Sequence, residues 1–104
     1  MNENNRSIDI SADPFDLFKK WFEEAKLNEL SDHNAMNLAT ADSDLNLSSR
    51  MVLLKSYNTS GFVFYTNLKS LKGITINNNP KVALNFHWKS LLKQVRIQGI
   101  ARLI

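Results

Sequence analysis

From Asn34 onward the apolar residues of this chain come in short runs with turn-forming residues between them, the spacing of an antiparallel meander or barrel. Five strands are expected: Asn34 to Ala41, Ser48 to Tyr57, Phe62 to Thr66, Lys81 to Trp88 and Lys93 to Ile104. Asp42-Ser43-Asp44, Asn58-Thr59-Ser60-Gly61 and a turn around Lys89-Ser90 separate them, each rich in residues that favour tight backbone geometry. The last strand alternates Gln94, Arg96 and Gln98 with Val95 and Ile97, so one face should be polar while the other packs inward. Ile100 to Ile104 is still strand-like, which implies either an edge paired in an oligomer or further chain beyond it.

Ahead of the strands the sequence predicts a helix over residues 14–30. Asp13 can cap free N–H groups, and Pro14 fills the first helical position, where no donor is needed. Phe15, Phe18, Trp21, Phe22 and Ala25 then recur at helical spacing, with Lys19, Lys20, Glu23 and Glu24 on the other side. Such an aromatic stripe reads as the face that packs on the domain's own core. A second, short helix is expected at about residues 68–78, where Leu68, Leu71 and Ile74 share a face and Asn79-Pro80 closes it. Residues 1–12 read as a flexible N-terminal segment and residues 13–104 as one domain. With 104 residues, 43% of them apolar, the chain can build one modest core.

Several chemistries are absent from the sequence. Without cysteine there is no disulfide framework, thiol catalysis or thiolate metal site, which suits a reducing compartment. The first thirteen residues are polar and acidic, unlike a signal peptide or a membrane span, so a soluble cytoplasmic protein is expected. The net charge of +3 is small and its signs are interspersed, with no basic stripe to track a nucleic-acid backbone. Phe62, Phe64, Phe86 and Trp88 could be imagined as base-stacking platforms, but they alternate as core residues do. Gly61, Gly73 and Gly99 form neither a P-loop nor a dinucleotide fingerprint. His33 and His87 have no second ligand at metal-binding spacing, so no metal site is expected.

What remains is a set of residues suited to phosphate. Arg50 opens the apolar run Met51-Val52-Leu53-Leu54, and Lys55 ends it. Thr66 closes the next strand, and the helix that follows carries Ser70 and Lys72 near its positive end. Taken singly, each has a plainer reading: a solvated strand-edge cation for the basic residues, a helix cap for Ser70. Arg50 and Lys55 are also an odd number of residues apart, so a regular strand would turn them to opposite faces. Acting together, they would need a bulge, or else two separate ligands.

Taken together, Arg50 through Lys55, Gly61 through Leu68, Ser70, Lys72, Asn79-Pro80 and Gln94-Val95 resemble, in order and spacing, the pyridoxamine 5′-phosphate oxidase family. The resemblance runs from about Asp13 to the end of the sequence. It implies a mainly β fold with flanking helices, a split β-barrel that is truncated here, in a homodimer with FMN bound where subunits meet. It implies oxidation of pyridoxamine or pyridoxine 5′-phosphate to pyridoxal 5′-phosphate, with oxygen as electron acceptor. By position, Arg50, Met51, Val52, Leu53, Leu54, Lys55, Tyr65, Thr66, Ser70, Lys72 and Gln94 match cofactor-binding positions of the family, and Lys55 also matches its lysine for the substrate phosphate. No protein nucleophile is implied, since the cofactor carries the hydride.

Two departures qualify that picture. Leu71 stands where the family has an arginine supporting the FMN phosphate, and Lys69 is a nearby cation that could partly replace it. Family members also run to about twice this length. An alternative expectation is therefore a non-catalytic FMN-binding or dimerisation module.

Overall fold

The computed structural model describes residues 11–65, 76 and 78–102. The expected flexible segment, apart from Ser11 and Ala12, lies outside these residues, as does most of the helix expected at about 68–78; of that stretch only Ile76 and Asn78 are described, both with helical backbone.

One α-helix, α1 (Pro14–Asn28), is followed by five strands: β1 (Ala35–Ala41), β2 (Leu47–Asn58), β3 (Gly61–Phe64), β4 (Lys81–Trp88) and β5 (Lys93–Ile100). Asp13 caps the helix as expected, its Oδ1 accepting the Phe15 N–H at 2.7 Å and the Asp16 N–H at 3.3 Å. The helix ends two residues before the expected Leu30. Glu29 is already extended, its N–H closes on the Ala25 carbonyl, and its carboxylate accepts the Ser90 N–H at 2.8 Å. That contact ties the chain leaving the helix to the 3₁₀ turn Lys89–Leu91 between β4 and β5.

The strands form one antiparallel sheet in the order β3-β2-β1-β4-β5, curled into a half-barrel. Side-chain alternation gives the sheet two unlike faces. Met36, Leu38 and Thr40 of β1 point to the helix side with Leu84, Phe86 and Trp88 of β4, and all are buried. Phe18, Phe22 and Ala25 of α1 complete this core, as the aromatic stripe predicted. Phe18 is its hub, with the rings of Phe22, Tyr57, Phe62, Phe86 and Trp88 all within 5.8 Å of its own. Burial of a large apolar side chain contributes about 1.5–3 kcal/mol, so this cluster is the main source of cohesion. Trp88 is the largest member, and its indole N–H donates to the His33 carbonyl at 2.8 Å. The aromatics weighed as base-stacking platforms are therefore packed in or against the core.

Tight turns close the hairpins. Asp42 accepts the N–H groups of Asp44 and Asn46, each at 2.9 Å, while Leu45 takes a left-handed conformation. Between β2 and β3, Asn58 accepts the Ser60 N–H at 2.7 Å, and Gly61 sits at φ +154°, where side chains are strained.

Candidate functional site

β2 carries most of the sequence-predicted site residues and distributes them between the two faces. The pairing of Leu38 with Arg50 and Met36 with Val52 puts Arg50, Val52 and Leu54 in phase with the helix side, and Met51 and Leu53 in phase with the open side. Leu54 is buried, with its N–H bound to the Asn34 carbonyl and its own carbonyl accepting the Asn34 side chain, so it anchors the strand. Val52 is half-buried, whereas Arg50, Met51, Leu53 and Lys55 are exposed.

At Lys55 the strand breaks its alternation. Leu54 pairs with Phe64 and Ser56 with Val63, leaving Lys55 as an extra residue opposite nothing on β3. This is a β-bulge, a device that bends a strand, raises its twist and re-aims a side chain. Beyond it the parity reverses, so Tyr57 returns to the core beside Phe62. The odd spacing of Arg50 and Lys55 thus meets a bulge at the second of them.

The open face holds a recess of about 450 Å³, lined by Ala35 and Asn37 of β1, Met51 of β2, Asn85 and His87 of β4 and Gln94 of β5, with Asp32. Apart from Asp32, its lining residues belong to neighbouring cross-strand pairs. Met51, Asn37, Asn85 and Arg96 stand side by side across four strands, and beside them Leu53 pairs with Ala35 and His87 with Gln94. Pairing thereby brings Met51 and Gln94, predicted from separate segments, into one depression. Beneath it the Oδ1 of Asn85 is buried without a hydrogen-bond partner, and the Asn37 amide reaches the Met51 sulfur, at 4.0 Å.

Electrostatics around the recess are mild. Hydrogen bonds from Ser90, helped by His87, hold the Glu29 carboxyl below its ordinary value, and burial beside the Glu23 charge pushes the Tyr57 hydroxyl up. Tyr65 is exposed just after β3. Thr66, Lys69, Ser70, Leu71 and Lys72 lie outside the described residues. Among the described residues no cluster of three histidine, aspartate or glutamate side chains could hold a metal ion, and no helix is long and apolar enough to cross a membrane.

Asn37, Asn85 and His87 were not singled out from the sequence as site residues. Their signal was nevertheless present, because each is a polar residue alternating with core residues: Asn37 between Met36 and Leu38, Asn85 and His87 on either side of Phe86. That pattern assigns them to the face opposite the core, though it cannot show that they meet.

A curled antiparallel half-barrel with one covered and one open, polar face is a split-barrel architecture. PhzG from Burkholderia lata, solved with tetrahydrophenazine-1-carboxylic acid, superposes with a TM-score of 0.81 at 26% identity, over 96% of this chain and 48% of that one. A pyridoxamine 5′-phosphate oxidase-related, FMN-binding protein from Nostoc punctiforme shares the fold, with a TM-score of 0.73 at 17% identity over 88% of this chain and 47% of that one. The family model described as pyridoxamine 5′-phosphate oxidase matches residues 22–104, and on this evidence the chain belongs to the pyridoxamine 5′-phosphate oxidase family. The pyridoxine/pyridoxamine 5′-phosphate oxidase of Pelagibacter ubique is 58% identical over 98 residues, 94% of this chain and 47% of that protein. That of Caulobacter vibrioides is also 58% identical, over 87 residues, 84% of this chain and 39% of that protein. The chain thus spans about half the length, or less, of the curated relatives it matches.

Proposed function

We propose that residues 13–104 are the FMN-binding portion of an oxidase that converts pyridoxamine or pyridoxine 5′-phosphate to pyridoxal 5′-phosphate, acting as a cytoplasmic homodimer with oxygen as electron acceptor. The observation that carries this reading is the recess in which Met51 and Gln94, from two distant segments matching cofactor positions, stand together. Its volume falls within the range of small-molecule sites, and its lining carries the side-chain amides of Asn37, Asn85 and Gln94, so the residues present fit a planar, hydrogen-bonding group.

FMN, when bound, supplies the hydride acceptance and the passage of electrons to oxygen. The protein's task is placement. Arg50 and Lys55 are exposed cations flanking an apolar run, suited to phosphate groups, with Lys55 assigned also to the phosphate of the substrate. Gln94 provides a neutral amide at the ring, Met51 and Leu53 give apolar contact, and the strand positions of Val52 and Leu54 fix their neighbours. Tyr65, Thr66, Ser70 and Lys72 are assigned to the cofactor by position. Leu71 withholds one cation from the phosphate. A hydrogen bond to a charged group is worth roughly 1.5–3 kcal/mol, so FMN should bind about one to two orders of magnitude more weakly than with arginine there, unless Lys69 compensates.

The chain's half length relative to its relatives favours a second reading, a flavin-binding or dimerisation module without turnover. An FMN titration followed by absorbance and size-exclusion chromatography separates these outcomes. Bound flavin in a dimer supports the site, and hydrogen peroxide release with pyridoxamine 5′-phosphate then supports the oxidase. Bound flavin without turnover supports the module, and a protein that ignores FMN removes both.

A further inference from the structure

The recess lining contains two side-chain amides that lack adequate partners. Asn85 Oδ1 is buried and accepts no hydrogen bond, a condition that native interiors leave to only a few groups. Its cross-strand neighbour Asn37 directs its amide to the Met51 sulfur at 4.0 Å, a long contact to a weak acceptor. Gln94 adds a third amide from its pair with His87. We propose that Asn85, with Asn37 beside it, is a cofactor-binding residue that reads the imide edge of the flavin ring, where one N–H lies between two carbonyl groups. This rests on the reading that the recess receives FMN.

The chemistry of the lining selects this edge over the phosphate. Neither arginine nor lysine is among the residues lining the recess, Arg96 standing beyond Asn85 at its β5 margin, and Asp32 contributes an acidic group, so a phosphate would meet no cation in the lining itself. A primary amide presents an acceptor beside a donor, the pattern complementary to an imide N–H beside its carbonyl. The last torsion of an asparagine is broad and roughly two-fold, so the Asn85 amide can turn its oxygen from the buried side toward the recess with little strain. Asn37 is placed to take up the remaining carbonyl, exchanging its sulfur contact for a stronger acceptor. The polarisable Met51 side chain suits the face of an aromatic ring.

The test compares FMN with its N3-methyl analogue, in which the imide N–H is replaced, on the full chain and on Asn85→Leu, with binding read by quenching of flavin fluorescence. The unmodified chain should bind FMN about tenfold more tightly than the methylated analogue, and Asn85→Leu should bind both alike. Should the unmodified chain bind both flavins equally, or Asn85→Leu retain the full preference, the assignment of Asn85 is overturned while FMN binding itself stands. Should the unmodified chain bind neither flavin, the cofactor reading falls and takes this inference with it. Because the preference of the unmodified chain is itself a readout, a misfolded variant would not leave the assignment unexamined.

Discussion

Deleting Lys55 outright should leave the fold standing while weakening the cofactor site. The residue is the surplus position of the bulge: Leu54 already pairs with Phe64 and Ser56 with Val63, so its removal joins two correctly facing pairs into a regular ladder. One fewer ordered residue relieves about 1–2 kcal/mol of backbone entropy, a regained ladder hydrogen bond adds about 0.5–1.5 kcal/mol, and loss of the bulge's twist opposes both. The stability of the variant should therefore lie within about 2 kcal/mol of the parent, measured by urea unfolding with tryptophan fluorescence. Deleting Val52 makes the contrasting case, because that strand segment is regular and a one-residue slip turns Leu54 and Tyr57 out of the core. Removing a leucine from a core costs about 2–5 kcal/mol by itself, a large share of the 5–15 kcal/mol typical of a domain, so that variant should not fold. Loss of the Lys55 ammonium should weaken FMN binding by roughly 10- to 150-fold in both the deletion and Lys55→Ala, as expected for one charged hydrogen bond. An unfolded Lys55 deletion, or a Val52 deletion as stable as the parent, would refute the reasoning.

Two further outcomes follow from the core and its margins. Trp88→Phe keeps an aromatic ring but leaves the His33 carbonyl without its donor, and should lower stability by about 1–3 kcal/mol, seen as a Tm lower by roughly 5–20 °C. Glu29→Gln should be destabilising at neutral pH and nearly silent in acid: because the folded carboxyl is held below its ordinary 4.5, its contribution is complete above that pH and disappears as pH falls through the depressed value, so unfolding curves of the two proteins should converge below it.

The core was legible because its signals are local and repetitive. Phe18, Phe22 and Ala25 announce one helix face, and Leu84, Phe86 and Trp88 one strand face, within short windows of sequence. Element ends were less so, since they depend on contacts made across the fold. The helix stops at Asn28 because Glu29 is drawn to Ser90, and β5 ends at Ile100, leaving Ala101 and Arg102 of the expected strand outside it. The bulge left a readable trace in the change from Val52 and Leu54 to Tyr57, a step of two followed by a step of three, yet only pairing with β3 assigns the extra residue to Lys55. The recess was the least legible feature. Asn37 and Asn85 become neighbours only because β4 crosses to pair with β1, and no local pattern encodes that choice of partner.

That crossing also sets a hierarchy of opening. Strands β1 and β2 form one hairpin and β4 and β5 another, each closable by a short turn, whereas the β1–β4 seam joins residues distant in the chain and must await both. Once joined, β1 and β4 each have the helix-side core beneath them and a long neighbour on either flank, while β3 and β5 occupy the margins of the described sheet. Amide protons of Leu38 and Ala39 should therefore exchange with solvent only through nearly global unfolding, and those along the outer edges of β3 and β5 through fraying that leaves the seam closed.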